Sequence, residues 1–179
     1  MEVRKEVFVS LRLWDIGGQS IHSKNLQKYL SASQVVFMVY DVTNPDSFSN
    51  LNDWYESVKK YSETKLVYIV GNKIDLIELR QVSDNQHQQF IDNNNLEGGF
   101  FVSAKNGDNL LKTFYKVAAA GVNITLSPSE LAYYDTVVKA HITKSNIEVE
   151  GRTAWADEIE AEDREAERRK LEGGCCSIS

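Results

Sequence analysis

The feature that most restricts how this chain can fold is a regular alternation, from Val7 to Gly121, of short apolar runs with longer amphipathic ones. Short runs rich in Val, Ile, Phe and Tyr, bounded by Gly, Asn or Asp, read as strands, and helical-period stretches between them read as crossovers. The pattern therefore predicts βα units and a mainly parallel sheet, an α/β fold. Four strands are expected, over Val7 to Trp14, Val35 to Asp41, Leu66 to Gly71 and Phe100 to Ser103. The second and third are continuously apolar, as strands covered by helices on both faces must be, and are expected at the centre of the sheet.

The helices are marked by their caps. Asn44-Pro45 sets a capping residue before a proline at the first helical position, and Phe48, Leu51, Tyr55 and Val58 then repeat on one face. Ser83 is placed to cap a polar helix running to about Asn94. Asp108 is placed to cap another, whose Leu111, Phe114, Tyr115 and Ala118 face the sheet before Gly121 stops it. A weaker helix is expected over Ser23 to Ser31. Composition changes after Gly121: Pro128 to about Thr143 can form one more amphipathic helix, and Arg152 to Glu172 is crowded with alternating charge. There Glu160 with Arg164 and Glu165 with Arg169 have the i,i+4 spacing of a solvated helix or partly disordered spacer. The expected divisions are a domain over 1–121, a helical or disordered tail over 122–172 and a terminal segment over 173–179.

Composition narrows the function. Twenty Lys and Arg against 26 Asp and Glu, a net charge of −6, give no basic field to draw the protein onto nucleic acid. The longest wholly apolar run, Val35 to Tyr40, is far short of the roughly 20 residues that span a bilayer, and no signal-peptide core stands at the N-terminus, so cytosolic synthesis is expected. The two cysteines, Cys175 and Cys176, are adjacent and near the end, where they cannot staple a domain. His22, His87 and His141 lack metal-ligand spacing and read as surface or capping polar residues.

Three short motifs stand at the carboxyl ends of expected strands, where open α/β sheets bind ligands. Asp15-Ile16-Gly17-Gly18-Gln19 offers a carboxylate for Mg²⁺, backbone amides for a terminal phosphate and an amide side chain to orient water; the same residues also make an ordinary tight turn. Asn72-Lys73-Ile74-Asp75 offers a carboxylate that can accept from the N1–H and 2-amino group of guanine, with the Lys stem along the ring plane. Adenine has no such donor pair and would leave the acid unpaired. Ser103-Ala104-Lys105, beginning 28 residues after Asp75, offers a backbone amide for guanine O6 and a cation to shield the Asp, or simply a strand end leading into the Asn106-Gly107 turn. The ordered set favours a purine-nucleotide site over three coincidences.

The set resembles the third, fourth and fifth guanine-nucleotide motifs of the Ras-like small GTPases over roughly residues 7 to 121. Tyr40-Asp41-Val42-Thr43-Asn44 followed by Ser47-Phe48 is similar to the Rab branch. Trp14 to Gln19 is a variant commoner in Arf-like proteins, but Ser103-Ala104-Lys105 and the cysteine tail are not Arf features. The combination, with Val117-Ala118-Ala119, resembles the divergent Rab subfamily numbered twenty-eight. The resemblance implies a P-loop-NTPase-like doubly wound sheet, GTP and GDP with Mg²⁺ as cofactors, and a GTP-hydrolysing switch in vesicle or ciliary membrane traffic. It implies partners of three kinds: an exchange factor, an activating protein and effectors. It assigns Asp15 to Mg²⁺, Gly18 to the γ-phosphate, Gln19 to catalytic water, and Asn72, Lys73, Asp75, Ser103, Ala104 and Lys105 to the guanine base.

One family element has no counterpart. The phosphate loop reads G-x-x-x-x-G-K-[ST], yet no Gly here is followed by Lys, and no Thr precedes Asp15 to serve the first switch. Relative to the family, the sequence reads as lacking the first strand, phosphate loop, first helix and first switch. Several charge-assisted hydrogen bonds, roughly 1.5–3 kcal/mol each, would go with that loop, so weak GTP binding is expected. The family's first strand lies between its third and fourth, so two strands are expected to lack a shared neighbour. The expectation is an incomplete product of a GTPase gene, with a non-catalytic, membrane-tethered interaction module as the alternative. Cys176-Ser177-Ile178-Ser179 fits the C-a-a-X rule with a terminal Ser that usually selects farnesyl. Cys175 can take a second lipid, aided slightly by Arg168-Arg169-Lys170, which would place the protein on the cytoplasmic face of membranes. Unmodified thiols on a frayed end are the alternative.

Overall fold

A strand whose side chains are apolar on both faces must have cover on both sides, and Val67–Val70 is such a run. In the structure, a computed structural model that describes residues 7–64 and 66–133, this run lies at the centre. Strands β1 (Val36–Asp41), β2 (Val67–Asn72) and β3 (Gly98–Phe101) form one parallel sheet in the order β1-β2-β3. Val36 is opposite Val67 and Asp41 opposite Asn72 on one side of β2, and Tyr68 is opposite Gly98 and Gly71 opposite Phe101 on the other. All three strands therefore end at the same side of the sheet.

Helices α1 (Leu26–Ala32), α2 (Pro45–Ser49), α3 (Leu51–Tyr61) and α4 (Asp84–Asn94) build the larger layer: α2 and α3 pack on β1, α4 on β2 and β3, and α1 on α3. Leu26, Val42, Leu51, Ile69 and Val82 are fully buried at its centre. On the other face, Phe37, Tyr68 and Phe100 form an aromatic cluster, and Phe114 of α5 (Leu110–Gly121) meets Phe37 edge-on at 5.9 Å. Helices on both faces make a doubly wound α/β fold. Asn44 caps α2, its Oδ1 accepting from the Asp46 N–H at 3.0 Å, and Ser83 caps α4 in a reciprocal pair with Gln86. A short α6 (Pro128–Tyr133) begins after Ser127, which is bonded to Glu130.

Several expectations are corrected. Val7 to Trp14 is not a strand: Val7, Phe8, Leu11 and Leu13 are exposed, Phe8 to 91%. A strand exists only through a ladder, and among the described residues none pairs with this segment or with the outer edge of β1. For the same reason β1 is an edge rather than a central strand, and its Val39 is 58% exposed. The last strand starts two residues earlier than expected because Gly98 and Gly99 already pair with Tyr68 and Ile69, and Gly99 leaves room for the buried His87: a Cβ on it would lie 2.1 Å from His87 Nε2. The helix opened by Asn44-Pro45 is interrupted at Asn50.

Asp108 does not cap α5. Asn109, at φ +59, takes the capping position, and the Asp108 carboxylate is engaged by Asn106 Nδ2 at 2.8 Å, so the helix begins a residue later than a cap at Asp108 would set it. Thr113, Val117 and Ala119 are its buried residues, while Leu111 and Tyr115 are exposed. His87 is not a surface residue but is buried in the core. The expected helix over Ser23 to Ser31 runs Leu26–Ala32, and that over Pro128 to Thr143 is described only as far as Tyr133. His141, Arg152 to Glu172, Cys175 and Cys176 lie outside the described residues.

Candidate functional site

The loop leaving β2 and the loop leaving β3 are stitched together beyond their strands. Val102 N–H donates to the Gly71 carbonyl at 2.9 Å and Ile74 N–H to the Val102 carbonyl at 3.3 Å, extending the ladder into both loops. The side chains then close over this backbone. Asn72 Oδ1 accepts from Lys73 N–H at 2.8 Å and from Ala104 N–H at 3.0 Å, so one oxygen spans the two motifs. Ser103, fully buried, donates its hydroxyl to Asp75 Oδ1 at 2.6 Å, and Lys105 Nζ stands 3.8 Å from Asp75 Oδ2. The Asn106 N–H and Gly107 N–H turn back onto Ser103, and Asn109 Nδ2 holds the Phe101 carbonyl, which fixes the second loop from behind.

Asn72, Lys73, Asp75, Ser103, Ala104 and Lys105 are thus one cluster. Asp75 is mostly buried, with one oxygen oriented by Ser103 and the other next to a cation that is 78% exposed. A carboxylate fixed in its plane retains acceptor capacity for a parallel pair of N–H donors, the pattern on the guanine N1–H and 2-amino edge. Residues and geometry fit the base of a guanine nucleotide. Two details differ from expectation. The Ala104 N–H, expected to face guanine O6, donates to Asn72 Oδ1 instead. Lys73 lies at φ +69 and sends its ammonium to Asp41 Oδ2 at 2.6 Å, an acid at the end of β1 that sequence reasoning gave no role.

Beneath the cluster, the Tyr40 hydroxyl and His87 Nδ1 are hydrogen-bonded at 2.9 Å, and the His87 ring lies 4.2 Å from that of Phe101. Burial is the main cause that pushes the His87 pKa down to about 4, against a smaller upward pull from Asp84, while Arg80 lowers it further. Burial also raises the Tyr40 pKa. The signal for His87 was present in its spacing: 87, 90 and 91 make one helical face with Phe90 and Ile91, both buried.

The first motif stands apart. Asp15, Gly18 and Gln19 are exposed, and no hydrogen bond among the described residues ties them to the Asn72 or Ser103 loops. Gly17 and Gly18 open a 3₁₀ turn, Gly18–His22, over which Gln19 folds back toward Gly17. Among the described residues no three His, Cys, Asp or Glu side chains gather as a metal-ligand set, and Asp15 stands as a single exposed carboxylate, the one protein ligand that a Mg²⁺ ion held otherwise by water and phosphate oxygens would take. A groove of about 880 Å³ lies elsewhere, between Ile21–Gln27 and Glu56–Tyr61, and shares no residue with the cluster.

Comparison with known proteins places the chain in a family. The family model described as "Ras family" matches residues 1–122. The chain is 46% identical over 131 residues to Ras-related protein Rab-28 of Caenorhabditis elegans, covering 70% of this chain and 52% of that protein. It is 33% identical over 113 residues to Ras-related protein Rab-30 of Homo sapiens and of Bos taurus, covering 62% of this chain and 54% of each. The chain spans about half the length of these curated relatives. With the parallel sheet, the joined loops and a family match over two thirds of its length, the chain belongs to the Ras family, in its Rab branch.

Proposed function

We propose that the protein is a guanine-nucleotide-binding protein of the Rab type that reads its ligand chiefly by the base. The observation that carries this reading is the closure of Asn72 on Ala104 and of Ser103 on Asp75, which orients an acceptor carboxylate before any ligand arrives. Asp75 takes the N1–H and 2-amino donors, Lys105 shields it, and O6 competes with Asn72 for the Ala104 amide. No G-x-x-x-x-G-K-[ST] sequence occurs in the 179 residues, so the phosphates gain little from this chain and the affinity is weak, roughly millimolar for a base held without its phosphates.

Amide spectra of the full chain titrated with guanosine and with adenosine test the base reading without involving phosphate. Guanosine shifts the amides of Asn72, Lys73, Ala104 and Lys105, and adenosine leaves them in place. An equal response to both nucleosides, or none to either, rejects the proposal. Roles for Gly18 and Gln19 in phosphate contact and hydrolysis rest on the family resemblance alone. The lack of a G-x-x-x-x-G-K-[ST] run in the 179 residues favours a second reading, an interaction module that holds guanine without turning over GTP. Phosphate release from GTP above the buffer rate, abolished by Gln19→Leu, would set that reading aside.

The tail completes the proposal. Farnesylation at Cys176, with Cys175 available for a second chain, brings the domain to the cytoplasmic face of a membrane, where an exchange factor, an activating protein and effectors of the Rab kind act in vesicle or ciliary traffic. Intact mass of the cellular protein should show a farnesyl adduct and loss of the last three residues; an unmodified terminus refutes it.

A further inference from the structure

The motif loops leave β2 and β3, but a third strand end meets them. Asp41 closes β1 and is the register partner of Asn72, which places it beside Lys73. Its carboxylate is tightly held: Oδ1 accepts from the Thr43 N–H at 2.8 Å and the Thr43 hydroxyl at 2.7 Å, and Oδ2 lies 2.6 Å from Lys73 Nζ. The backbone under it is fixed as well, because the Asp41 N–H donates to Ser47 Oγ, which in turn donates to the Asn44 carbonyl. Burial opposes the Asp41 charge, but the bonds from Lys73 and Thr43 outweigh it and hold the carboxyl below its ordinary pKa.

Lys73 is therefore constrained at both ends. Its backbone is in the left-handed region, which non-glycine residues seldom adopt, and its ammonium is anchored one strand away. The four-carbon stem becomes a strut across the ends of β1 and β2, with about half of the side chain still open to solvent. The pairing has a second effect: a lysine held by Asp41 does not compete for the Asp75 carboxylate two residues along the chain. We propose that Asp41 is a positioning residue for base recognition, which holds the Lys73 ammonium so that the lysine stem forms a fixed apolar wall of the guanine site and Asp75 stays available to the base. This rests on the guanine reading above and names the residue that prepares its Lys.

The test is a guanosine titration of the full chain followed by amide shifts, with folding of each variant checked by its own spectrum. Asp41→Asn keeps the shape and removes the charge, and weakens guanosine binding about 3- to 10-fold. Lys73→Met alone produces a loss of its own, and adding Asp41→Asn to it causes no further loss, because Asp41 acts through the lysine. If Asp41→Asn is too unstable to measure, Thr43→Val, which removes one bond to Asp41 and leaves its charge, should weaken binding about twofold. Binding by Asp41→Asn within experimental error of the unaltered chain overturns the proposal. So does an undiminished Asp41→Asn effect in the Lys73→Met background, the mark of a merely structural role. Absence of guanosine binding by the unaltered chain removes the guanine reading itself and this assignment with it, which separates the two failures.

Discussion

Two of the chain's motif loops are ordered by bonds between them, while a third, of the same family origin, is not. Asn72–Asp75 and Ser103–Lys105 follow strands that pair with each other, and the ladder runs on into the loops until side chains take it over. Asp15–Gln19 follows a segment also rich in apolar residues, Val7 to Trp14, which joins no strand ladder among the described residues and leaves Phe8 and Leu13 in solvent. A loop inherits its geometry from the hydrogen bonding of the strand that feeds it. Sequence alone supplies the motif, and the neighbour makes it a site.

The sharpest way to break this contrast is to truncate one apolar residue from each region. Ile69 is fully buried in β2, and Ile69→Ala should cost roughly 2–5 kcal/mol by urea unfolding. Leu13 is 68% exposed, and Leu13→Ala should change stability by no more than about 0.5 kcal/mol. Comparable losses at the two positions would mean that Val7 to Trp14 is packed in solution and that the contrast is false.

Acid attacks the ordered side from below. The folded protein keeps His87 neutral down to about pH 4, whereas the unfolded chain takes up that proton near pH 6.5. Between those values the unfolded state binds more protons, so stability is full above pH 6.5 and falls as pH drops toward 4. The loss approaches about 3 kcal/mol, the shift multiplied by roughly 1.4 kcal/mol per unit. Chemical unfolding at a series of pH values measures it, and His87→Phe should flatten that part of the profile. A profile flat from pH 6.5 to 4 in the unaltered chain would show that His87 is not buried neutral.

How far the sequence foretold this arrangement depended on whether a signal was local. Continuous apolar runs marked β1 and β2 to within a residue, and Asn44 and Ser83 marked their caps, because a strand core or a cap is written in adjacent residues. Val7 to Trp14 alternates as a strand should, but pairing is a property of the partner; the family resemblance, not the pattern, raised the expectation that two strands lack a shared neighbour, and among the described residues neither Val7 to Trp14 nor the outer edge of β1 joins a further ladder. Gly99 gave no signal in the sequence, and only the buried His87 ring against it explains why nothing larger fits. The residues of the joined cluster were legible as motifs, whereas Asp41, though part of the Rab-like run Tyr40 to Asn44, was given no role there, and its contact with Lys73 follows only from β1 ending beside β2. The closure of Ala104 on Asn72 could not be read at all, since it joins residues 32 apart through one side-chain oxygen.

The last pair of changes separates the two contacts of Asp75. Ser103→Ala removes a buried hydroxyl that orients the carboxylate at 2.6 Å, and a hydrogen bond to a charged group so enclosed is worth about 1.5–3 kcal/mol. Lys105 is 78% exposed and 3.8 Å from the same acid, so water and salt screen the pair and Lys105→Ala should alter stability by at most about 0.5 kcal/mol. The small effect should shrink further in 1 M salt, where the screening length falls to about 3 Å, while the Ser103 effect should not change. Unfolding of both variants at low and high salt decides the matter. A Lys105 loss as large as that of Ser103, and equally indifferent to salt, would mean that the cation, and not the hydroxyl, fixes Asp75, and the preformed acceptor would then depend on a side chain that water can pull away.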